Sequence, residues 1–154
     1  MSLADGSFDG VSLPALLRAA RHAYTSAIRQ ALDEAGCDDV PSNGSYVIGG
    51  MARTGAPLGE IVKGLRVSKQ ATGQLVDTLV ARGYLDRSVD PEDRRRLNIS
   101  LTERGRAAAV VVRSAIEDVD TVLERRVGRE YIAHARVALG VLIDLSGPSI
   151  EDSV

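Results

Sequence analysis

Apolar residues recur every three or four positions near the start of the chain, and this spacing predicts a long amphipathic helix. The helix begins near Leu13, and Pro14 fits its first turn because the missing N–H of proline costs nothing there. Gly36 suits the C-terminal cap, so the helix ends there. The apolar stripe consists of Leu13, Leu17, Ala20, Tyr24, Ala27, Ala31 and Ala35.

The middle of the chain predicts three shorter helices in close succession. A turn at 41–44 leads into a helix over 46–51, although two glycines inside it each weaken it by about 1 kcal/mol relative to alanine. A short helix over 58–65 follows, and then a second one from 69 to about 82. Ser68 is a favoured N-cap residue for that second helix. The tight connection between the two predicts a helix-turn-helix.

The period of the pattern changes after Gly83, where two short strands are predicted. Residues 84–89 have the composition of a strand, and residues 97–101 alternate between apolar and polar side chains. The Asp-Pro-Glu-Asp sequence at 90–93 between them favours a turn. The segment is therefore predicted to form a β-hairpin.

Two further helices complete the predicted elements. Thr102 caps a long helix whose apolar positions form a narrow seam, as in helix-on-helix packing, and Gly128 ends it. A last amphipathic helix extends over 129–145. The seam consists of Val112, Ala115, Val119 and Val122.

This order predicts a mainly α protein with a small β-hairpin. The winged helix-turn-helix lobe is assigned to residues 41–105, with its wing at 84–101. Long terminal helices over 11–36 and 106–146 flank the lobe, and their apolar faces need a partner surface. A monomer would leave too much of those faces in water, so the chain is expected to form a homodimer through them.

The charge distribution changes this picture more than the total does. The net charge of −2 argues mildly against a nucleic-acid ligand. Residues 63–106, however, carry ten basic and six acidic residues, a net +4, whereas the remainder carries nine basic and fifteen acidic, a net −6. One contiguous cationic segment on an acidic body is compatible with local DNA binding.

The remaining composition excludes several classes of protein. The single cysteine cannot form a disulfide framework within one chain, and neither a signal peptide nor a membrane-spanning stretch is recognisable. A cytoplasmic protein without membrane association is therefore expected. No phosphate-binding glycine loop, metal-ligand spacing or catalytic triad is recognisable, so we expect no enzyme activity, no cofactor and no metal.

The helix that begins after Ser68 has a polar face suited to DNA. On a helical wheel, Lys69, Gln70, Gly73, Gln74 and Asp77 lie opposite the apolar residues. Lysine and the backbone N–H groups can hold phosphates, and glutamine can recognise adenine in the major groove. The alternative is an ordinary solvated helix surface. The predicted apolar side consists of Ala71, Leu75 and Leu79, with Val76 beside them and Thr72 at the boundary.

Gly73 has two interpretations that the sequence leaves open. The glycine either lets the helix approach the bases closely or is a tolerated surface residue.

The predicted turn of the hairpin is strongly charged. Arg94, Arg95 and Arg96 follow Asp93, and an arginine at such a tip can enter a narrow minor groove. The acidic neighbour Asp93 can fix the loop or an arginine through a charged hydrogen bond. A hairpin kept soluble by charge is the alternative.

These segments together resemble the MarR family of transcriptional regulators. The residues that carry the resemblance, at matching spacing, are the 67–72 and 75–79 segments of the predicted recognition helix, Arg82-Gly83-Tyr84-Leu85, the 90–95 turn and Leu101-Thr102-Glu103-Arg104-Gly105. The departures are Gly44, Gly49 and Gly50 in the second helix and Gly73 in the recognition helix.

The resemblance implies a dimeric, sequence-specific DNA-binding regulator, here expected to be a repressor at an inverted-repeat operator, released by a small aromatic or anionic effector. It implies double-stranded DNA contacts from the recognition helix and the wing, and a structural role for Asp93 in the wing. The expected contact residues are Ser68, Lys69, Gln70, Thr72, Gly73, Gln74, Arg94 and Arg95. A winged helix used only for protein interaction is the competing hypothesis.

The resemblance also implies an effector cleft between the terminal helices and the winged-helix lobe. His22, Tyr24, Tyr46 and Arg53 are candidates for its lining, each with packing or simple surface exposure as the alternative. Oxidant sensing through Cys37 is disfavoured, because the neighbouring Asp38 and Asp39 carboxylates disfavour a reactive thiolate.

Overall fold

The computed structural model describes residues 8–89 and 97–145. The helices and the two-stranded hairpin follow one another in the predicted order, which confirms the fold class. The elements are α1 (Leu13–Glu34), α2 (Gly44–Thr54), α3 (Leu58–Lys63), α4 (Lys69–Ala81), β1 (Leu85–Val89), β2 (Leu97–Leu101), α5 (Glu103–Val127) and α6 (Arg129–Leu145).

The core forms where α2 and the hairpin pack against the first half of α5 and where α4 packs against β1. α5 also packs along α1, so it belongs to both the helical arm and the winged-helix lobe. The largest fully buried side chains come from α1, α2, α4 and the start of the hairpin. They are Leu32, Val47, Ile48, Leu79, Tyr84 and Leu85.

The glycines of α2 are explained by close helix packing. A methyl group on Gly49 would lie 3.3 Å from Cγ1 of Val112 on α5, and one on Gly50 would lie 2.9 Å from Cγ2 of Ile61 on α3. α2 therefore gives up some helix propensity and gains close contact with both neighbours. The two glycines that weaken the helix by propensity are therefore the positions at which α5 and α3 approach it closely.

The hairpin is antiparallel, with Leu85 opposite Leu101 and Val89 opposite Leu97. Thr102 caps α5 as predicted, because its hydroxyl accepts the N–H of Gly105 at 2.9 Å. The same hydroxyl donates to the carbonyl of Gly83 at 2.6 Å. One side chain thus fixes both the start of α5 and the turn before β1.

Much of the terminal helical surface is apolar and exposed. The predicted seam of α5 divides: Val112 and Ala115 are buried, whereas Val122 is 49% exposed. α6 has no buried residue along its described length. Its exposed apolar side chains are Tyr131, Val137, Leu139, Val141, Leu142, Ile143 and Leu145. Within the described ranges, no helix is long and apolar enough to cross a membrane.

Candidate nucleic-acid interface

α4 begins at a side-chain cap that the sequence predicted. Ser68 has extended backbone (φ −60°, ψ 155°), and its hydroxyl accepts the N–H of Ala71 at 3.2 Å. This bond satisfies one of the free N–H groups of the first turn and fixes where the helix starts. The remaining N–H groups of that turn give the end of α4 a partial positive charge.

The buried side of α4 differs from the predicted one at its start. Val76 and Leu79 are buried and Thr72 is half-buried, at the i, i+4, i+7 spacing of one helical stripe. Ala71 was predicted on this apolar side but is exposed. The first turn of α4 projects past the core, so only the later turns contact it.

The opposite face of α4 is open to solvent. Ser68, Lys69, Gln70, Gly73 and Gln74 are all exposed. A methyl group built on Gly73 would meet no heavy atom within 4 Å. The face is therefore bare at its centre and polar around it, and polar side chains of these types can bind phosphates and base edges.

An ion pair joins this face to the hairpin. Arg87 on β1 donates through Nη2 to Oδ1 of Asp77 on α4. Both side chains are substantially exposed, so the pair adds little stability on its own. The pair links β1 to the exposed face of α4.

The predicted wing tip lies outside the described residues. Asp93, Arg94 and Arg95 therefore keep their assigned roles as predictions only. The described strands β1 and β2 flank the tip. At the base of the hairpin, Tyr84 and Leu85 are fully buried in the core.

A polar cluster, the Asp39 anchor, holds the base of the hairpin and consists of Asp39, Arg82, Tyr84 and Arg104. The Tyr84 hydroxyl donates to Oδ1 of Asp39, which also accepts Nη2 of Arg104 at 3.0 Å. Arg104 Nη1 donates to the carbonyl of Arg82 at 2.6 Å, and its guanidinium lies 4.3 Å from the centre of the Tyr84 ring. Arg82 donates to the backbone carbonyl of Asp39.

The cluster perturbs the pKa values of both acidic partners. The Tyr84 hydrogen bond, aided by the charge of Arg104, lowers the pKa of the Asp39 carboxyl. Burial, together with the same hydrogen bond, raises the pKa of the Tyr84 phenol. The anchor is therefore held as carboxylate and neutral phenol at neutral pH.

Sequence patterns did not reveal the Asp39 anchor or the Arg87–Asp77 pair. Arg82, Tyr84 and Arg104 lie in the segments that carried the family resemblance, but no local spacing connects them to Asp39, forty-three residues before Arg82. Opposite charges on β1 and α4 were the only signal available for the second pair.

A cleft of about 1160 Å³ opens between the α1–α5 arm and the α2–α3 lobe, and is called the arm–lobe cleft below. Two predicted effector residues, Tyr46 and Arg53, line it. Ile28, Ile61 and Leu65 contribute apolar walls. The charged lining residues are Arg21, Arg53, Arg106, Arg113 and Glu117, so cations outnumber anions by four to one.

The other two predicted effector residues lie elsewhere. His22 does not line the cleft; it is exposed on α1 beside Ser26, with Nε2 3.2 Å from the serine hydroxyl. Tyr24 donates to Oδ1 of Asp120 on α5 at 2.5 Å, a bond that raises the pKa of its phenol to about 12. Both residues therefore have structural partners on the helical arm.

Cys37 is buried just after α1. A buried thiol offers an oxidant little access. The burial adds to the sequence argument against oxidant sensing.

Comparison with known proteins gives one family and a set of solved structures. A MarR family model matches residues 39–96. A Staphylococcus aureus MepR–DNA complex superimposes with a TM-score of 0.71 at 20% identity, covering 86% of this chain and 97% of that one. The transcriptional regulator PA4135 gives 0.67 at 24% identity, covering 86% and 96%. MepR bound to ethidium bromide gives 0.53 at 20%, covering 88% and 97%. No curated protein matches the sequence.

Proposed function

Because residues 39–96 belong to the MarR family, we propose that this chain is a sequence-specific DNA-binding transcriptional regulator that acts as a homodimeric repressor. The observation that carries the proposal is the exposed face of α4. It combines a capped helix start with Lys69, Gln70 and Gln74 around a bare Gly73. A protein-interaction surface has no need of this set of phosphate and base-binding groups.

Each part of the interface has its own role in the proposal. Lys69 and the first-turn N–H groups bind phosphates, and Gln70 and Gln74 bind base edges in the major groove. Ser68 and Thr72 add hydroxyl contacts at the edge of the helix. One of Arg94 and Arg95 enters the minor groove from the wing, which Asp93 orders.

Dimerisation follows from the terminal helices, for which we propose a second copy of this chain as the partner. Val137, Val141 and Leu145 are exposed at four-residue spacing on α6, and Val122 and Leu123 are exposed on α5. A two-fold axis through these helices covers the apolar surface and presents two α4 helices to one inverted repeat.

The arm–lobe cleft is proposed as the effector site, with Tyr46 and Arg53 among its ligands. Apolar walls beside four arginines favour a small aromatic anion. Matched probes test this: benzoate should raise the thermal midpoint more than benzamide, and Arg53→Ala should reduce the difference. Equal shifts for the two probes would contradict an anion site.

The test of the main proposal is selection of duplexes from a random-sequence pool, followed by mobility shift at several salt concentrations. We expect an inverted repeat and an affinity that falls steeply with salt. Recovery of no preferred duplex would favour the competing protein-interaction hypothesis. Arg94→Ala and Arg95→Ala, singly and together, then test the wing: affinity should fall while dimerisation and folding persist.

Repression is tested separately with a reporter. The selected repeat is placed across a promoter, and expression should fall when the protein is present. A rise would make the protein an activator while leaving DNA binding intact.

A further inference from the structure

Tyr46 of α2 lines the arm–lobe cleft and meets the backbone at the end of α3. A methyl group built on Gly64 would overlap the Tyr46 hydroxyl and lie 3.3 Å from Cζ of the same ring. Gly64 has φ −68° and ψ −18°, which is right-handed backbone that alanine adopts freely. The close neighbour of a side chain at 64 is therefore the Tyr46 ring, and the backbone conformation itself places no demand for glycine there.

A second contact of the same kind runs in the opposite direction. Ile61 of α3 lies against Gly50 of α2. Tyr46 and Gly50 are four residues apart on α2, and Ile61 and Gly64 are three apart across the end of α3, so each pair shares one helix face. Each helix contributes one side chain and one glycine, which fixes the position of α3 relative to α2.

Little chain separates this contact from the DNA-facing helix. The N–H groups of Gly64 and Leu65 each bond to the carbonyl three residues earlier, at 3.2 and 3.0 Å. Arg66 then adopts φ +50°, a left-handed conformation that few non-glycine residues take. Ser68 caps α4 two residues later. A displacement of Gly64 therefore reaches the first turn of α4 with little slack to absorb it.

We propose that the Tyr46–Gly64 contact positions α4 for DNA, and that the Tyr46 ring is the part of this contact that an occupant of the arm–lobe cleft reaches. Half of Tyr46 is exposed, and the ring lines the cleft, so an occupant reaches it directly. Tyr46 acts through Gly64, which makes it a positioning residue in addition to a cleft ligand. This inference rests on the proposed DNA-binding function.

Gly64→Ala tests the contact without any effector. The added methyl group should force Gly64 and the Tyr46 ring apart and lower affinity for the duplex selected by the wild-type chain about tenfold, within the usual range of coupling between sites. Gly59→Ala is the matched control in the same helix, because a methyl group there meets no heavy atom within 4 Å. Its affinity should stay within about twofold of wild type, well below that coupling range.

Rescue by a single-atom change separates this role from a general packing defect. Tyr46→Phe removes the hydroxyl that the new methyl group would overlap. The doubly substituted Gly64→Ala/Tyr46→Phe chain should therefore bind within about twofold of Tyr46→Phe alone, because the coupling has been removed. A general packing defect at Gly64 would persist in the double variant.

Three results would overturn the inference: wild-type affinity in Gly64→Ala, a loss that persists in the double variant, or the same loss in Gly59→Ala. If Gly64→Ala does not fold, the double variant decides, since it must fold and bind as Tyr46→Phe does. Failure of the underlying function is distinct: the wild-type chain then selects no duplex, and the inference falls with it.

Discussion

Replacing Gly73 with alanine should move stability and DNA affinity in opposite directions. Gly73 lies inside α4, and a methyl group there meets no heavy atom within 4 Å. Glycine costs about 0.8–1.0 kcal/mol relative to alanine in a helix interior. With no clash to offset this gain, Gly73→Ala should raise the free energy of unfolding by nearly 1 kcal/mol. For a chain of this size, the thermal midpoint should then rise by about 2–4 °C.

The same methyl group should weaken DNA binding. Gly73 lies three residues after Gln70 and four after Lys69, so it shares their exposed face. If that face enters the major groove, the methyl group occupies space needed by the bases or the backbone. We expect at least about a tenfold loss of affinity, equivalent to about 1.4 kcal/mol.

The assay pairs thermal unfolding with mobility shift on the selected duplex, at fixed protein concentration because unfolding is expected to be coupled to dimerisation. Gly59→Ala on α3 is the matched control, since a methyl group there also meets nothing within 4 Å and Gly59 lies on neither the α4 face nor the proposed dimer surface. It should stabilise the protein with no loss of DNA affinity. Stabilisation by Gly73→Ala with unchanged affinity would refute the close approach and leave a tolerated surface glycine.

Three further predictions concern the residues that fix the start of α4 and the base of the hairpin. Ser68→Ala should lower the free energy of unfolding by about 1 kcal/mol in a denaturant titration, because an N-cap hydrogen bond is lost; an unchanged midpoint would contradict the cap. Tyr84→Phe should cost about 1–2 kcal/mol by the same method, because the Asp39 carboxylate loses the hydroxyl that donates to it; a double-mutant cycle with Asp39→Ala should show coupling, and additivity would refute the bond. The lowered pKa of Asp39 stabilises the fold above the ordinary aspartate value of about 3.9, and this stabilisation is lost as pH falls through the lowered value. In acid titrations the stability gap between wild type and Tyr84→Phe should therefore narrow, and a constant gap would contradict the assignment.

Local patterns predicted the elements well because their causes are local. The caps at Ser68 and Thr102 depend on residues within three positions, and both were found where the sequence indicated. The buried face of α4 was predicted less accurately, because the core covers only the later turns of this helix. Ala71 therefore lies outside the buried stripe that periodicity alone assigned to it.

Contacts between distant segments could not be predicted in the same way. The Asp39 anchor brings together residues from three separate segments, and nothing near Asp39 marks it as a partner of Tyr84. For the same reason, only two of the four predicted effector residues line the arm–lobe cleft. Tyr46 and Arg53 share a cleft because they share α2, whereas Tyr24 turns to Asp120 on another helix.

The packing role of the α2 glycines was not predicted, for a related reason. Their propensity cost is visible in the sequence, but the partners that require them are not. Gly49 and Gly50 face Val112 and Ile61, which come from helices that only the fold brings close.

Base recognition by α4 is the central claim, and Gln70→Ala measured on a set of single-base variants of the selected duplex tests it most directly. We expect a loss of about 1–3 kcal/mol on the preferred site and a relaxed preference at one position in each half-site. Equal loss on every duplex, or no loss on any, would mean that Gln70 does not contact bases and that α4 does not place its Lys69–Gln74 face in the major groove.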